Sequence, residues 1–429
     1  PNGDASVNYE IAVAKTSPTQ GEEGNLIPES SPATPAATQV RLINGNGVVV
    51  TQSAQLNGSL VVERDALTLW QPGKPYLYTL EVTADDDVYH LRSVGIRTIK
   101  VSGAQFLING KPFYFHGVDK HEGVGERDSD IRGKGVDDVI VVKDYNMLQW
   151  LNVSAYRTSH YPYAPQFYDM ADERGIVIID ECPAVGLAEA SYFNPTTLAH
   201  HKQVMYEMIR RDKNHPSVVM WNVANEPRSD MHVAYNYFKE VAAYTRETDP
   251  TRRPITLVNN VDYTGQTCAE FFDVVCINRY YAWYSDSGQL EVIPYQLDTD
   301  LQGFWAKYQK PIIVSEYGAD TVPGLHHDPA FMFTEDFQVE FLKQYHKVFD
   351  QYIGKFLIGE LVWNFADFRT GQSPTRVGAT NLKGVLTRQR EPKAAAYTLK
   401  ERYSHLKKSL PALGHSSPLH NTKPDILLA

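Results

Sequence analysis

The 429-residue sequence contains few cysteines: Cys182, Cys268 and Cys276 form neither a CxxC pair nor a dense disulfide framework. This excludes a disulfide-stapled small domain, and the odd count leaves at least one thiol without an intrachain partner. Apolar runs long enough to span a bilayer are missing, so we expect no membrane association. A run rich in Lys and Arg is missing too, in a chain of net charge −10, which argues against extensive nucleic-acid binding.

Motifs of several enzyme classes are also missing. HExxH, GxSxG and a phosphate-cradling glycine-rich loop do not occur, and the sequential pairs His200-His201 and His326-His327 point apart in regular structure. We therefore expect no metal and no cofactor. Aromatic residues, by contrast, are abundant at 11% of the chain, with 26 tyrosines and 6 tryptophans. Most of these fill cores, although such side chains also line sugar sites well.

The first part of the chain has the pattern of a small β domain. Short runs of β character separated by turns, such as VRLINGNGVVV and KPYLYTLEVT, predict an immunoglobulin-like β-sandwich over residues 1–103. Within it, residues 16–39 are rich in Pro, Ser, Thr and Gly and predict a flexible insertion. At the other end of the chain, residues 409–429 are expected to form a flexible tail.

Residues 104–408 alternate strand and helix patterns, which favours an α/β fold with parallel strands. Successive strand candidates with helices between them fit a TIM (β/α)8 barrel better than an open sheet. The candidates are FYFHGVDKH, SAYRTSHY, IVIIDECP, VVMWNVANEP, PITLVNN, DVVCINRYY, PIIVSEYG and ELVWNFADF. The link between the fifth and sixth candidates is short and lacks a clear helix, so that unit is expected to be atypical.

Polar side chains follow many of these strand candidates at the point where each one ends. In a (β/α)8 barrel, chemistry is built at the C-terminal ends of the strands, so these side chains are the candidates for function. They are His121, His160, Asp180, Glu181, Asn225, Glu226, Asn278, Tyr280, Glu316, Trp363, Asn364 and Asp367.

Glu226 and Glu316 form the most informative pair, because they end the fourth and the seventh strand candidates. Glycoside hydrolysis needs two carboxylic acids, one to protonate the leaving oxygen and one to attack the anomeric carbon or activate water. Position alone fits solvated glutamates at strand ends equally well, since Glu is mostly an exposed residue. The neighbouring Asn225, Tyr317 and Gly318 favour chemistry, because they place an amide donor and a tight aromatic exit beside the carboxylates.

Longer motifs carry a resemblance to a known family. RTSHYPYA, GIVIIDECP, RDKNHPSVVMWNVANEP, INRYYAWY, PIIVSEYGAD and VWNFADF match the β-glucuronidases of glycoside hydrolase family two, in order and at plausible spacing. LTLWQPG, PYLYTLEV and VGIRTIKV match the sandwich domain that precedes the barrel. The resemblance extends from about Val40 to Tyr403 and is nearest to the animal lysosomal members. It implies a retaining exo-hydrolase that removes terminal β-D-glucuronic acid from glucuronides and glycosaminoglycan fragments.

The resemblance also implies roles for individual residues. Glu226 is the expected general acid/base, Glu316 the nucleophile, and Tyr280 the catalytic tyrosine beside the nucleophile. Asn225 matches the residue that binds the 2-hydroxyl, and Trp363 matches an aromatic platform. The expected substrate-binding residues are His160, Asn225, Asn278, Tyr284, Trp363, Arg376, Asn381 and Lys383.

Substrate choice depends on the segment after the last strand candidate. Asn381-Leu382-Lys383 fits the Asn-x-Lys pattern with which the family reads a uronic-acid carboxylate, and Arg376 would supply a second cation. Lysine supplies a point charge and the amide a directional bond, so a neutral sugar would leave both partly unpaired.

The sequence departs from the family pattern at two places. The jelly-roll domain that precedes the sandwich in family members is not seen, which leaves the role of its active-site Asp unassigned. Gly123–Arg127 form an insertion in the loop after the first strand, at the catalytic end. Two alternatives therefore stay open: a related β-galactosidase, and a catalytically silent truncated form that acts as a binding protein.

Further expectations follow from the resemblance and from short patterns. The family implies a homotetramer and a location in the lysosome or the secretory pathway. Asn57-Gly58-Ser59 and Asn152-Val153-Ser154 match the N-glycosylation pattern, and the second lies beside a predicted strand, where access is poorer.

Overall fold

The computed structural model of the chain describes residues 3–20, 26–32, 34–122, 137–373 and 376–413. The predicted insertion Gly123–Arg127 and the part of the predicted tail after residue 413 lie outside these residues. Within the described ranges, a helix with the length and the apolarity needed to cross a bilayer is not found.

The first part of the described chain folds into small antiparallel sheets. The strands are β1 Ala5–Glu10, β2 Ala14–Gln20, β3 Leu26–Pro32, β4 Thr38–Ile43, β5 Val49–Ser53, β6 Asn57–Val62, β7 Tyr78–Ala84 and β8 Asp87–Val94. Strands β5-β4-β7-β8 form one sheet, and β1 pairs with β6. Val7 and Leu60 from the β1-β6 pair share an apolar cluster with Val40 and Leu80 from the four-stranded sheet, so the two sheets enclose a common core.

Residues 16–39, predicted as a flexible insertion, contain regular structure. Strand β2 pairs with β3 in antiparallel register, and Pro18 lies opposite Pro28. Because proline has no backbone N–H, the two residues that lack this donor lie opposite each other, and the other residue pairs of the two strands keep theirs. Composition reports the lack of a buried face and gives no information on backbone pairing, so the pairing was not predicted, and the flexibility of the insertion stays a prediction.

A short sheet connects this region to the barrel. Its strands are β9 Ile99–Ser102, β10 Gln105–Ile108 and β11 Lys111–Pro112. The turn between β10 and β11 is formed by Asn109 and Gly110, both with positive φ, which is typical of an Asn-Gly hairpin turn. Asn109 Nδ2 donates to the carbonyl of Trp70 at 2.9 Å, and Trp70 Nε1 donates to the carbonyl of Asp172 in the barrel region at 2.9 Å.

Eight parallel strands of the described chain close into a barrel in sequence order, which confirms the predicted TIM barrel. They are β12 Phe115–Lys120, β13 Ala155–Thr158, β14 Val177–Glu181, β15 Val218–Asn225, β16 Ile255–Asn259, β17 Val274–Asn278, β18 Ile312–Glu316 and β19 Leu357–Val362. Every residue in these strands is buried, as parallel strands covered by helices require.

Helices follow the strands on the outside of the barrel. They are α1 Asp138–Trp150, α2 Pro165–Arg174, α3 Pro195–Asp212, α4 His232–Thr248, α5 Ile293–Tyr308, α6 Glu335–Tyr352 and α7 Ala394–Leu413. Between β16 and β17 the helical structure is a 3₁₀ turn, Ala269–Phe271, so the predicted atypical unit is confirmed. After the barrel, β20 Phe368–Arg369 pairs with β21 Thr380–Asn381.

The two ends of the barrel differ in polarity. At the end where the strands begin, Trp70, Phe106 and Ile108 pack against Phe115 and Val219 in one apolar cluster. This packing closes that end and ties the N-terminal region to it. The polar strand-exit residues lie at the opposite end, which is the end where barrels of this kind place their chemistry.

Candidate active site

A buried arginine lies at the centre of the strand exits. Arg157 on β13 is fully buried, and its Nη2 donates to Glu316 Oε1 at 2.7 Å. Its Nη1 pairs with Asp119 Oδ1 at 2.9 Å, and its Nε pairs with Glu181 Oε2. Three carboxylates from three other strands therefore surround one guanidinium, and its planar fork of donors suits this arrangement.

The carboxylates of this cluster differ in their proton affinity. Burial raises the pKa of Asp119 well above its usual range, and the charges of Glu316 and Glu181 raise it further against the effect of Arg157. Burial also pushes up the pKa of Glu181, but Arg157 and His160 outweigh it and the pKa is lowered. The cluster thus favours the neutral form of Asp119 and the charged form of Glu181.

Glu316 is held on both carboxylate oxygens. Arg157 occupies Oε1, and the hydroxyl of Tyr280 donates to Oε2 at 2.6 Å. The backbone N–H of Arg279 donates to the carbonyl of Glu316 at 2.8 Å, which anchors the end of β18 against β17. Donors on both oxygens fix the orientation of the carboxylate.

Glu226 lies just beyond the end of β15 in a different environment. Its φ of +49° turns the chain at the strand exit, and its N–H still donates to the carbonyl of Val258 at 2.9 Å. Asn278 Nδ2 donates to Oε1 at 2.8 Å, and Asn260 Nδ2 lies 3.4 Å from Oε2. Burial and the nearby charge of Glu316 raise the pKa of Glu226, so its proton is retained to higher pH.

Amide and aromatic side chains complete this part of the site. Asn225 Oδ1 accepts from Arg157 Nη2 at 3.0 Å and lies 3.4 Å from Asn278 Nδ2. His160 Nδ1 contacts Glu181 Oε1 at 2.7 Å, and the imidazole stacks on Trp363 with centroids 5.0 Å apart and planes 14° apart.

A second charged cluster is built from the segments that follow β17, β18 and β19. Lys383 Nζ donates to the hydroxyl of Tyr284 at 3.1 Å, and Arg376 Nη2 donates to the same hydroxyl at 2.7 Å. Both cations also contact Asp320 Oδ2, with Arg376 Nη1 at 3.2 Å. Asn381 Oδ1 accepts from the N–H of Lys383 at 3.1 Å and so orders the turn that carries the lysine.

The two clusters touch, and they contain every residue to which the family resemblance assigned a role. Lys383 Nζ lies 5.7 Å from the ring centroid of Tyr280, and the rings of Tyr280 and Tyr284 meet edge to face at 5.1 Å. The first cluster holds His160, Asn225, Glu226, Asn278, Tyr280, Glu316 and Trp363; the second holds Tyr284, Arg376, Asn381 and Lys383. The structure thus brings all of these together, and their individual roles remain predictions.

Sequence reasoning missed Arg157, Asp119, Asp320 and Asn260. A signal existed for the first two, because a charged residue within an apolar strand candidate is unusual: Arg157 interrupts SAYRTSHY and Asp119 interrupts FYFHGVDKH. For Asp320, four residues after Glu316, no pattern in the sequence indicated a role.

The described residues also bring one set of possible metal ligands together away from this site. Ligand atoms of Asp169, Asp172 and His215 lie within 4.8 Å of one another. Both oxygens of Asp172 are engaged, one by His215 Nδ1 at 2.6 Å and the other by the N–H of Ser217 at 2.9 Å. These contacts tie α2 to the start of β15, which gives the group a structural role.

Comparison with known proteins identifies the family. The model of the TIM barrel domain of glycosyl hydrolases family 2 matches residues 99–408. The chain is 52% identical over 377 residues to β-glucuronidase of Homo sapiens, covering 85% of this chain and 56% of that protein. The β-glucuronidase structure from Dictyoglomus thermophilum is 43% identical with a TM-score of 0.81, covering 94% of this chain and 69% of that chain.

A third relative has been solved with a ligand. The β-glucuronidase from Ruminococcus gnavus in complex with D-glucaro 1,5-lactone is 36% identical with a TM-score of 0.81, covering 93% of this chain and 67% of that one. The chain spans about half the length of the curated relatives it matches. Because the family model spans the whole barrel and the solved relatives share both fold and sequence, the chain belongs to glycosyl hydrolase family 2.

Proposed function

We propose that the chain is a retaining exo-β-glucuronidase that removes terminal β-D-glucuronic acid from glucuronides and glycosaminoglycan fragments by double displacement. The contact between the two clusters carries this proposal. Tyr280, whose hydroxyl donates to Glu316 at 2.6 Å, also lies 5.7 Å from the ammonium of Lys383. A pair of carboxylates suited to glycoside hydrolysis therefore adjoins cations suited to a sugar carboxylate, and the similarity to β-glucuronidases supports the same reading.

In the first step, Glu316 attacks the anomeric carbon while Glu226 protonates the glycosidic oxygen of the leaving group. The raised pKa of Glu226 suits it to hold that proton. Arg157 and Tyr280 orient the attacking carboxylate and stabilise its charge until the bond to sugar forms. In the second step, Glu226 takes a proton from water, and the water oxygen displaces Glu316 from the sugar.

The remaining residues bind the sugar. Asn225 binds the 2-hydroxyl, an interaction that strengthens in the transition state, and Trp363 with the stacked His160 provides the aromatic wall. Lys383, Arg376, Asn381 and Tyr284 surround the carboxylate at C6. For a retaining mechanism we predict that the carboxyl groups of Glu226 and Glu316 lie about 5–5.5 Å apart.

Rates on matched aryl glycosides test the proposal. We expect the 429-residue chain to hydrolyse 4-nitrophenyl β-D-glucuronide with a kcat/KM at least about 100-fold above that for the β-D-galactoside, because a neutral sugar offers no carboxylate to Lys383 and Arg376. Proton NMR should show the β-anomer as first product. Preference for the galactoside would favour the related β-galactosidase, and no turnover of either substrate would favour the silent binding protein.

Other features of the proposal concern the chain as a whole. The N-terminal sheets form an immunoglobulin-like sandwich domain over residues 1–103, followed by the catalytic domain over 104–408 and the tail over 409–429. Helix α7 continues to Leu413, so its last turn lies beyond the proposed catalytic boundary. The protein acts in the lysosome or the secretory pathway and assembles as a homotetramer.

Glycosylation in that pathway would use Asn57 in preference to Asn152. Asn57 is exposed on β6. The amide nitrogen of Asn152, to which a glycan would be attached, donates to Ser404 Oγ at 2.9 Å and is only partly exposed.

A further inference from the structure

Asp320 lies between the two cations of the second cluster and is almost completely buried, with 1% of its surface exposed. Its Oδ2 accepts from Lys383 Nζ and from Arg376 Nη1, and its Oδ1 accepts from the N–H of Leu382 at 2.7 Å. The N–H of Thr321 in turn donates to the carbonyl of Leu382 at 3.0 Å. Asp320 therefore joins the segment after β18, which follows Glu316, to the segment that carries Lys383.

The ammonium of Lys383 depends on this carboxylate. Its side chain is fully buried, and its other contacts are the hydroxyl of Tyr284 at 3.1 Å, the rings of Trp283 and Tyr284 with centroids at 4.8 Å, and the ring of Tyr280 with its centroid at 5.7 Å. A buried charge that loses its partner is strongly disfavoured, so the lysine would either move or lose its proton without Asp320.

We propose that Asp320 is a positioning residue that holds the ammonium of Lys383 and the guanidinium of Arg376 where the carboxylate of a glucuronide binds. The inference rests on the proposed function, because it assigns Asp320 to recognition of the substrate carboxylate at the same site. Sharing one oxygen of Asp320 brings the two cations close together before substrate arrives. Such preorganisation lowers the free-energy cost of ordering the two side chains when a ligand binds. It strengthens binding only of a ligand that carries the carboxylate.

Proton affinity provides a second line of support. The pKa of Lys383 is lowered to about 8. Burial is the largest cause, and Arg376 lowers the pKa further, whereas Asp320 and the more distant Glu316 raise it. Tyr280 and Tyr284, which also face the lysine, have raised pKa values and stay neutral. Removing the charge of Asp320 therefore lowers the pKa of Lys383 further, and the ammonium loses its proton at a lower pH.

The test uses Asp320→Asn in the full chain and two inhibitors that differ at C6. D-Glucaro-1,5-lactone carries the carboxylate, and D-glucono-1,5-lactone carries a hydroxymethyl group instead. We expect Asp320→Asn to raise the inhibition constant of the charged lactone and the KM for 4-nitrophenyl β-D-glucuronide roughly 10- to 100-fold. The inhibition constant of the neutral lactone and kcat should change by less than about twofold, and the rise of KM with pH should begin at a lower pH than in the wild type.

Two further variants complete the experiment. Asp65→Asn, at an exposed position of the N-terminal region, is the matched control and should change none of these constants. Asp320→Glu retains the charge and should restore most of the affinity for the charged lactone; if Asp320→Asn does not fold, Asp320→Glu should still weaken the charged lactone selectively, by a smaller factor.

The outcomes separate the inference from the proposed function. Equal weakening of both lactones, or no effect on either, in a chain whose wild type hydrolyses the glucuronide overturns the inference alone and assigns Asp320 a purely structural role. A wild type that does not hydrolyse the glucuronide overturns the proposed function first, and the inference with it.

Discussion

The two charged clusters at the C-terminal end of the barrel strands have opposite arrangements of charge. In the first, one guanidinium, Arg157, lies among three carboxylates contributed by barrel strands. In the second, one carboxylate, Asp320, lies between two cations contributed by the segment after β19. The side chain of Arg157 is completely buried, whereas that of Arg376 retains 19% exposure.

This difference matches the roles that we propose for the two clusters, catalysis for the first and recognition of the substrate carboxylate for the second. The strand-built cluster balances its charges largely inside the protein, because Arg157, Asp119 and Glu181 are fully buried, and this fixes the geometry around Glu316. The loop-built cluster reaches the surface through Arg376, so solvent or an incoming anion contributes to its balance. The groups that we propose to react are thus held by the barrel, and the groups that we propose to select the substrate are held by contacts between loops.

The largest effect is expected from removing the reactive charge in the first cluster. Glu316→Gln should lower kcat on 4-nitrophenyl β-D-glucuronide by roughly 10⁴- to 10⁶-fold, because the amide cannot form the glycosyl ester. Glu247→Gln, an exposed glutamate on α4, is the matched control and should retain wild-type activity. In the wild type, a 2-fluoro glucuronide should label Glu316 covalently; labelling of another residue would contradict the assignment of the nucleophile.

A smaller effect, on the free energy of unfolding, should distinguish the two clusters directly. Arg157→Met leaves buried carboxylates without their cation and should lower the free energy of unfolding by about 3–5 kcal/mol, measured by urea denaturation. Asp320→Asn should cost less, because Lys383 can release its proton and Arg376 is partly hydrated. Arg210→Met, on the exposed face of α3, provides the control. Equal losses for Arg157→Met and Asp320→Asn would remove the distinction between the clusters.

The smallest effect concerns the pH dependence of stability. The raised pKa of Glu226 means that the folded state keeps this proton to higher pH than the unfolded state, where the pKa is about 4.3. Its stabilising contribution is present below the unfolded value and is lost as pH rises through the folded value. Glu226→Gln lacks this loss, so its Tm relative to wild type should increase between about pH 4 and neutral pH; a pH-independent difference would contradict the raised pKa.

Much of the site was predictable because its residues lie at strand exits. Glu226 and Glu316 follow apolar runs that end in polar residues, and a barrel brings such ends together whatever lies between them. The Asn-x-Lys turn was predictable only through family resemblance, since three residues carry little information. Arg157 and Asp320 were not found, because their importance comes from partners that no local pattern links to them. Asp320 and Lys383 are 63 residues apart in sequence.

The N-terminal region also shows that local sequence patterns do not reveal which segments pair with each other. Short runs of β character separated by turns predicted short strands there, and the structure contains antiparallel sheets that share an apolar core. The composition of residues 16–39 predicted a flexible insertion and gave no sign of the pairing of β2 with β3. Composition indicates how much apolar surface a segment can bury, whereas two antiparallel strands pair through their backbone groups.

The order of apolar runs and polar exits therefore determined the barrel, the end at which its polar residues gather, and the position of the two glutamates that we propose to react. Tertiary structure alone decided the protonation preference of Glu226 and the partners of the cations. The physical reason is that hydrophobic periodicity is a local property of the chain, whereas a pKa depends on burial and on charges brought within a few ångströms by distant segments. The retained proton of Glu226 and the shared oxygen of Asp320 both arise in this way.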